Sequence, residues 1–393
     1  MSSHDSLRLP SSLRKGSVLF SWEGTDYVLV RQLGSGLDGL QGYLALPHTH
    51  GMQGAPVVVS VLSHRAPLRA HQRLEEEMRL VAVLSHPAIV RVHSLHKGPD
   101  FTRYLLSEYV TGSSLSQVVT FAALRGKPLS EAFGLYVAAQ VADVLHHVHT
   151  RTDAQGQPLG ILHRDITPDS ILLDEQGTVR VQDFAFASSR LPEHLPTSPF
   201  LVRGGLGYAA PERLAPGLAS RVDARSDLFS LGMVLLEVLT HQHLYDLPEV
   251  EQAAQEHALR EPVRTEPTLR AEEPSWVSPG ELARRATAFR PQDVERVTKG
   301  LSAPMRHVLS RLLCPNPIER YATAAQLCEA LKECQAAQAT DYGPQEALRE
   351  VSRAEREAAR RGGHRATPVR PALPAPRAGS LDDEVSTLDA PGA

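Results

Sequence analysis

Cysteine is scarce. Cys314, Cys328 and Cys334 are the only three in 393 residues, and all lie late in the chain. An odd, small set gives no disulfide framework and reads as reduced thiols of a cytoplasmic protein. Long hydrophobic runs are also missing. The longest on the carboxyl side, "LFSLGMVLLEVLT" at 228–240, is short and contains Glu237, so it predicts a buried helix rather than a membrane span. The opening "MSSHDSLRLPSSLRKG" has no apolar core of the kind a secretory signal needs. Charge of one sign is not in excess: the formal net charge is −4, and nothing argues for nucleic-acid binding. A metal set is not evident either. The histidines of "HHVH" at 146–149 have no cysteine or carboxylate companions at ligand spacing, and they read as polar residues on a helix surface. No internal repeat is visible.

The length, with 42% hydrophobic and 22% charged residues, suits one large two-lobed domain or two domains. Residues 1–22 are polar and read as a flexible lead. From 26 to 110 β-branched runs broken by glycine alternate as strands, interrupted by one charged helical segment at 66–83. That pattern predicts a small sheet with one helix. From about 115 the period becomes helical. "LSEAFGLYVAAQVADVLHHVH" (129–149) carries apolar residues at three- and four-residue steps, with Ser130 placed to cap it. Short strands at 160–183 are followed by helices at 211–240, 302–313 and 323–336. Beyond 335 the composition changes. "DYGPQEALREVSRAEREAARRGGH" predicts an exposed charged helix, "RATPVRPALPAPRAGS" is basic and proline-rich, and "LDDEVSTLDAPGA" is acidic. Such a tail has too little apolar surface to build a core and is expected to be flexible and dispensable for folding.

The chemistry concentrates in "ILHRDITPDSILLDEQGTVRVQDFAFA" (161–187), with "LGSGLDGLQGYLA" (33–45), "YAAPERL" (208–214), "RSDLFSLG" (225–232) and "NPIERY" (316–321). In that order these motifs resemble the Hanks-type serine/threonine protein kinases over roughly residues 26–335. The linker "HTRTDAQGQPLGILHRDITP" is similar in style to bacterial, myxobacterial kinases. The resemblance implies an α+β, bilobal kinase fold: a small β-rich lobe with one helix at 23–110 and a large helical lobe at 111–335. It assigns Asp165 as the base that accepts the substrate hydroxyl proton and Asp183 as the magnesium ligand. Gly34, Gly36 and Gly39 let backbone N–H groups approach phosphate. Glu77 stands where the helix glutamate pairs with the strand lysine, and Glu108 and Val110 fall among the nucleotide-binding positions. Asp227 should brace the catalytic-loop backbone, and Arg320 should pair with Glu212.

Several family residues are replaced. The strand "VVVS" at 57–60 puts Ser60 where the phosphate-binding lysine stands, and Val58 where a small residue roofs the adenine. Ser170 replaces the asparagine that holds a second Mg²⁺, and a hydroxyl is neutral and short for an ion that tolerates poor geometry badly. Thr167 stands for the catalytic-loop lysine, Gly205 for its threonine partner, and Ala185 for the glycine after Asp183-Phe184. Residues 33–45 hold no lysine or arginine to substitute, while Arg31, His64 and Arg65 lie nearby in sequence. ATP and Mg²⁺ are therefore expected to bind weakly.

Two readings stand. One is a pseudokinase that acts through other signalling proteins or kinases. The other is an active atypical serine/threonine kinase that uses Asp165 and Asp183 with a depleted phosphate clamp. The two aspartates fit either, because both also hydrogen-bond local backbone. Arg164 is a candidate partner for a phosphate on Ser188, Ser189, Thr197 or Ser198. The long stretch at 250–300 reads as an interaction surface or a solvated elaboration, and the basic proline-rich tail as a peptide ligand or a linker.

Overall fold

The computed structural model describes residues 14–35, 39–190, 201–202, 205–215, 222–260, 270–271, 277–338 and 341–361. They fall into two compact units. Among the described residues, the first holds those up to Val83 together with Val90–Gly112, and the second holds Leu84–Ile89 and those from Ser113 to Arg361.

The first unit is a seven-stranded antiparallel sheet with one helix, as the β-branched runs broken by glycine predict. Strands β1 (Val18–Trp22), β2 (Thr25–Ser35), β3 (Gln41–Thr49), β4 (Met52–Gln53) and β5 (Val57–Leu62) precede helix α1 (Leu68–Val83). Strands β6 (Val92–Lys97) and β7 (Arg103–Glu108) complete it, in the order β1-β2-β3-β5-β7-β6 with β4 on β3. The two-residue period of β5 sorts its side chains onto two faces. Val59 and Val61 enter a cluster with Phe20, Tyr43, Tyr104 and Leu106, whereas Leu62 packs with Ala70 and Leu74 of α1. The lead at 1–22 needs correction: Val18–Trp22 form a sheet strand whose Leu19 and Phe20 are buried, and Phe20 stacks between Tyr27 and Tyr104. Residues 1–13 lie outside the described residues.

The second unit is mainly helical. β8 (Gly112–Ser114) leads into α2 (Leu115–Leu124), which starts with a capping box between Ser114 and Gln117. Helix α3 (Glu131–His149) follows, capped by Ser130, whose hydroxyl accepts the N–H of Phe133 at 3.1 Å. The hairpin β9 (Ile171–Asp174) and β10 (Val179–Val181) joins β8 in a three-stranded sheet. After it come β11 (Leu201–Val202), α4 (Pro211–Leu214), α5 (Arg225–Thr240), α6 (Pro248–Arg260) and β12 (Arg270–Ala271), which runs parallel to β11. Helices α7 (Pro279–Ala288), α8 (Pro291–Val297), α9 (Ala303–Leu312), α10 (Ala324–Ala336) and α11 (Pro344–Arg361) follow in the described residues. Helix α5 is apolar nearly all round and buried from Ser226 through Leu239 except Glu237, the signature of a core helix. Among the described residues no helix is long and apolar enough to cross a membrane.

The carboxyl-terminal helix departs from the expectation of an exposed appendage. Ala347, Val351, Ala354 and Ala358 of α11 are buried against α2 and α3. Glu350 accepts from both the backbone N–H and the hydroxyl of Ser130 at 2.7 Å. Arg125 on α2 faces Glu357, and Arg361 donates to the carbonyl of Arg125. The first residue of α11 presses on the β9–β10 turn. A Cβ at Gly177, whose φ is +84°, would lie 2.1 Å from the carbonyl oxygen of Pro344. The basic and acidic segments after Arg361 lie outside the described residues.

Candidate active site

The catalytic loop is held from beneath. Asp227, in the first turn of α5 and 1% exposed, accepts the backbone N–H groups of His163 and Arg164, each at 2.8 Å. His149 Nε2 lies 2.9 Å from the same carboxylate. Burial alone would raise the Asp227 pKa, but the hydrogen bond and charge of His149, the nearby His163 and the Arg164 N–H bring it down to about 2. Asp227 thus braces the loop as expected. His149 was missed, because one histidine among "HHVH" was read as surface when it is inward-facing. Among the described residues no group of three His, Cys, Asp or Glu side chains is placed to hold a metal by itself.

His163 is fully buried. Its Nε2 donates to the carbonyl of Gln182 at 3.0 Å, and its ring packs on Phe184 with centroids 4.5 Å apart. Burial lowers its pKa to about 4, so it is neutral and structural. Arg164 and Asp183 both sit in the left-handed backbone region, at φ +65° and +66°. Non-glycine residues are uncommon there and cluster at functional sites.

Asp165 is buried, and its Oδ1 accepts the backbone N–H of Gly205 at 2.5 Å. Burial raises its pKa to about 6, with Asp169 adding to the rise and the Gly205 N–H and Arg213 opposing it. Asp183 is solvent-exposed on its own surface, yet the protein atoms packed around it, together with the charges of Asp165 and Asp169, push its carboxyl above the usual carboxylate range. Three carboxylates felt at one point are chemistry that a divalent cation would relieve, and Asp183 fits a first magnesium. Ser170 does not fit a second. It is 1% exposed, donates its proton to the Thr167 carbonyl at 3.1 Å and accepts the Thr167 N–H at 3.0 Å. Its proton and one of its two lone pairs are thus spent on closing the loop.

The positions of the first unit are laid out as follows. Ser60 lies on β5 between Gly42 and Leu105, on the same face as Leu62 and so on the side covered by α1. That is the face from which a lysine would reach a helix glutamate. Glu77 is half-buried on α1, one turn beyond Leu74. Gly34 pairs with Gly42 across the β2–β3 hairpin, and Gly39 sits at φ +82° with no atom within 4 Å of its missing Cβ. Gly36 lies outside the described residues. Glu108 pairs with Val57 and accepts the Arg91 N–H at 3.2 Å, and Val110 is half-buried just beyond β7.

Two cations escaped the sequence reading. Arg73, 6% exposed on α1, stands four residues before Glu77 and so neighbours it along the helix. Arg213 follows Glu212 in "APER". Burial lowers its pKa, and Asp227 and Asp165 lie within Coulombic reach of it. Arg31, the nearest arginine before the glycine turn, donates to the Tyr109 hydroxyl at 3.3 Å. Of the candidate phosphate acceptors, Thr197 and Ser198 lie outside the described residues, while Ser188 is buried and its backbone pairs with Leu162. The structural pair holds as expected. Arg320 spans both oxygens of Glu212 at 2.7 and 2.9 Å with both side chains buried, and Ser226 donates to the same carboxylate.

Comparison with known proteins agrees with this geometry. Tyrosine-protein kinase MasK of Myxococcus xanthus is 32% identical over 270 residues, covering 68% of this chain and 40% of the relative. Serine/threonine-protein kinase Pkn1 of the same organism is 30% identical over 312 residues, covering 77% and 37%. Serine/threonine-protein kinase PrkC of Bacillus subtilis is 30% identical over 256 residues, covering 65% and 32%. The matches thus take in about a third to two fifths of these relatives' own lengths. The family described as "Protein kinase domain" matches residues 27–332. With a sheet-and-helix unit followed by a mostly helical unit, and with the family model matching residues 27–332, the chain belongs to the protein kinase family.

Proposed function

We propose that this chain is a cytoplasmic kinase-fold signalling protein with impaired ATP binding and phosphoryl transfer, acting by contact with other signalling proteins or kinases. The observation that carries the reading is Ser170, a buried neutral hydroxyl tied to both the N–H and the carbonyl of Thr167. It leaves a second magnesium without its side-chain ligand. Ser60 compounds the defect. A charge-assisted hydrogen bond contributes roughly 1.5–3 kcal/mol, so losing the lysine weakens nucleotide binding on the order of 10–100-fold. Val58 narrows the space for the base.

One observation favours a second reading, an active atypical serine/threonine kinase. Asp165 and Asp183 are both retained, and Arg213 places a positive charge within Coulombic reach of Asp165. Calorimetric titration of the full chain with ATP and Mg²⁺ separates the two. The pseudokinase reading expects no saturable heat in the micromolar range. Saturable, magnesium-dependent binding at tens of micromolar favours the active kinase.

A further inference from the structure

Position 205 is glycine for a reason that its own backbone does not supply. Gly205 has φ −60° and ψ 98°, a conformation open to any residue. Space decides instead. A Cβ at this position would lie 2.5 Å from Thr167 Cγ2 and 3.1 Å from Asp165 Oδ1. The first distance is well inside van der Waals contact, and Thr167 has little freedom to move. It is β-branched, it is 9% exposed, and its Oγ1 accepts the Ser170 N–H at 3.3 Å, which fixes the rotamer and points the methyl at Gly205.

The close approach serves one contact. With no side chain between them, the Gly205 N–H reaches Asp165 Oδ1 at 2.5 Å, a short bond to a buried carboxylate. A buried carboxylate left without a donor is costly, so this bond stabilises the loop around Asp165 as well as the chain at Gly205. Gly205 also begins the 3-10 turn Leu206–Tyr208, accepting the Tyr208 N–H at 3.2 Å, and all three residues of that turn are buried. The turn runs into α4, whose Glu212 is fixed by Arg320. Holding Gly205 therefore fixes the start of a buried path.

We propose that Thr167 and Gly205 are a coupled pair of positioning residues, through which Asp165 anchors the buried turn Gly205–Tyr208 to the loop that carries Asp165 and Thr167. Thr167 reserves the space, Gly205 fills it with bare backbone, and the Gly205 N–H takes hold of the carboxylate. The inference deepens the reading above, because it gives Asp165 a task that outlasts the loss of phosphoryl transfer.

Amide hydrogen exchange followed by mass spectrometry on the full chain tests it. Gly205→Ala is expected to speed exchange across Leu206–Tyr208 by about tenfold or more, through local opening. Thr167→Ser removes only the Cγ2 methyl and keeps the hydroxyl that Ser170 uses, so alone it changes little. Combined with Gly205→Ala it is expected to restore most of the protection, a strong non-additivity between contacting residues. Asp165→Ala speeds exchange in the same peptide, while Asp165→Asn, which keeps an acceptor oxygen, retains most of the protection. Exchange in α5 reports whether a variant has opened globally. If α5 opens in Gly205→Ala, rescue by Thr167→Ser decides the matter. The proposal is overturned if Gly205→Ala changes nothing, if Thr167→Ser gives no rescue, or if Asp165→Ala leaves the turn protected. Phosphate transfer by the wild type would instead overturn the reading above and leave the exchange result standing.

Discussion

Glu350 of α11 grips Ser130, the cap of α3, with both carboxylate oxygens at 2.7 Å, and the Tyr342 hydroxyl donates to the same group at 2.7 Å. A residue more than two hundred positions away thus closes the start of the helix that carries His149 to Asp227. The helix beyond the expected domain end is part of the second unit.

Removing α11 is therefore expected to destabilise the protein. Truncation after Gln338 exposes the faces of α2 and α3 that Ala347, Val351, Ala354 and Ala358 cover. We expect a drop of roughly 5 °C or more in melting temperature. Glu350→Ala should give a smaller drop in the same direction. A truncated protein that melts with the full chain would show that the helix contributes nothing.

The buried ion pair of Glu212 and Arg320 gives a second test. Arg320 also donates to the carbonyls of Cys314, Pro315 and Arg225, so its whole fork is used. Arg320→Ala leaves a buried carboxylate uncompensated and is expected to cost about 3–5 kcal/mol in denaturant unfolding. Arg320→Lys should recover only part, because an ammonium does not span two oxygens and three carbonyls. A loss below 1 kcal/mol for Arg320→Ala, on the order of a surface pair, would contradict this.

Asp227 sets the direction of the acid response. Its folded pKa of about 2 lies below the ordinary unfolded value near 3.9. Between the two the unfolded chain binds more protons, so stability rises with pH there. The contribution is present above about pH 4 and is lost as pH falls towards 2. Asp227→Asn should lower stability at pH 6 and flatten the acid slope between pH 5 and 3 in urea titrations. A variant with an unchanged slope would mean that other carboxylates carry the acid response.

Much of this was legible in the sequence. The β-branched run "VVVSVL" and the apolar run "LFSLGMVLLEVLT" set strand and core helix correctly, since elements buried on both faces leave a plain pattern. The bracing Asp227 and the Glu212–Arg320 pair followed from motifs whose partners are other motif residues. The α11 contact was missed because its apolar stripe is three alanines and one valine at 347, 351, 354 and 358. The spacing is helical, but the hydrophobic signal is faint among the nine charged residues of the helix. Strand β1 was missed for a similar reason: Leu19 and Phe20 alone are buried in a polar lead. Arg73 stands at helical i, i+4 spacing from Glu77, a signal legible in the sequence but overlooked, whereas the reach of Arg213 to Asp165 and Asp227 depends on how the elements pack and not on spacing.

Charge restoration offers a direct chemical test. Ser60→Lys puts an ammonium on the α1-covered face of β5 and should strengthen Mg·ATP binding. Ser170→Asn returns the second metal ligand. The double variant should bind and transfer better than either single one, since both changes act on the same phosphate–metal cluster. If the double variant still fails to bind ATP, the defect lies in the bulk of Val58 and not in missing charge.

The central claim is that this kinase-fold chain does not transfer phosphate at a useful rate. The most direct measurement is incorporation of ³²P from labelled ATP, with Mg²⁺, into this purified chain and a generic protein acceptor, beside Asp165→Asn. The account expects wild type and Asp165→Asn to give the same low background. Robust incorporation by the wild type that Asp165→Asn abolishes would contradict it, and would assign the missing lysine's work to another cation of the chain.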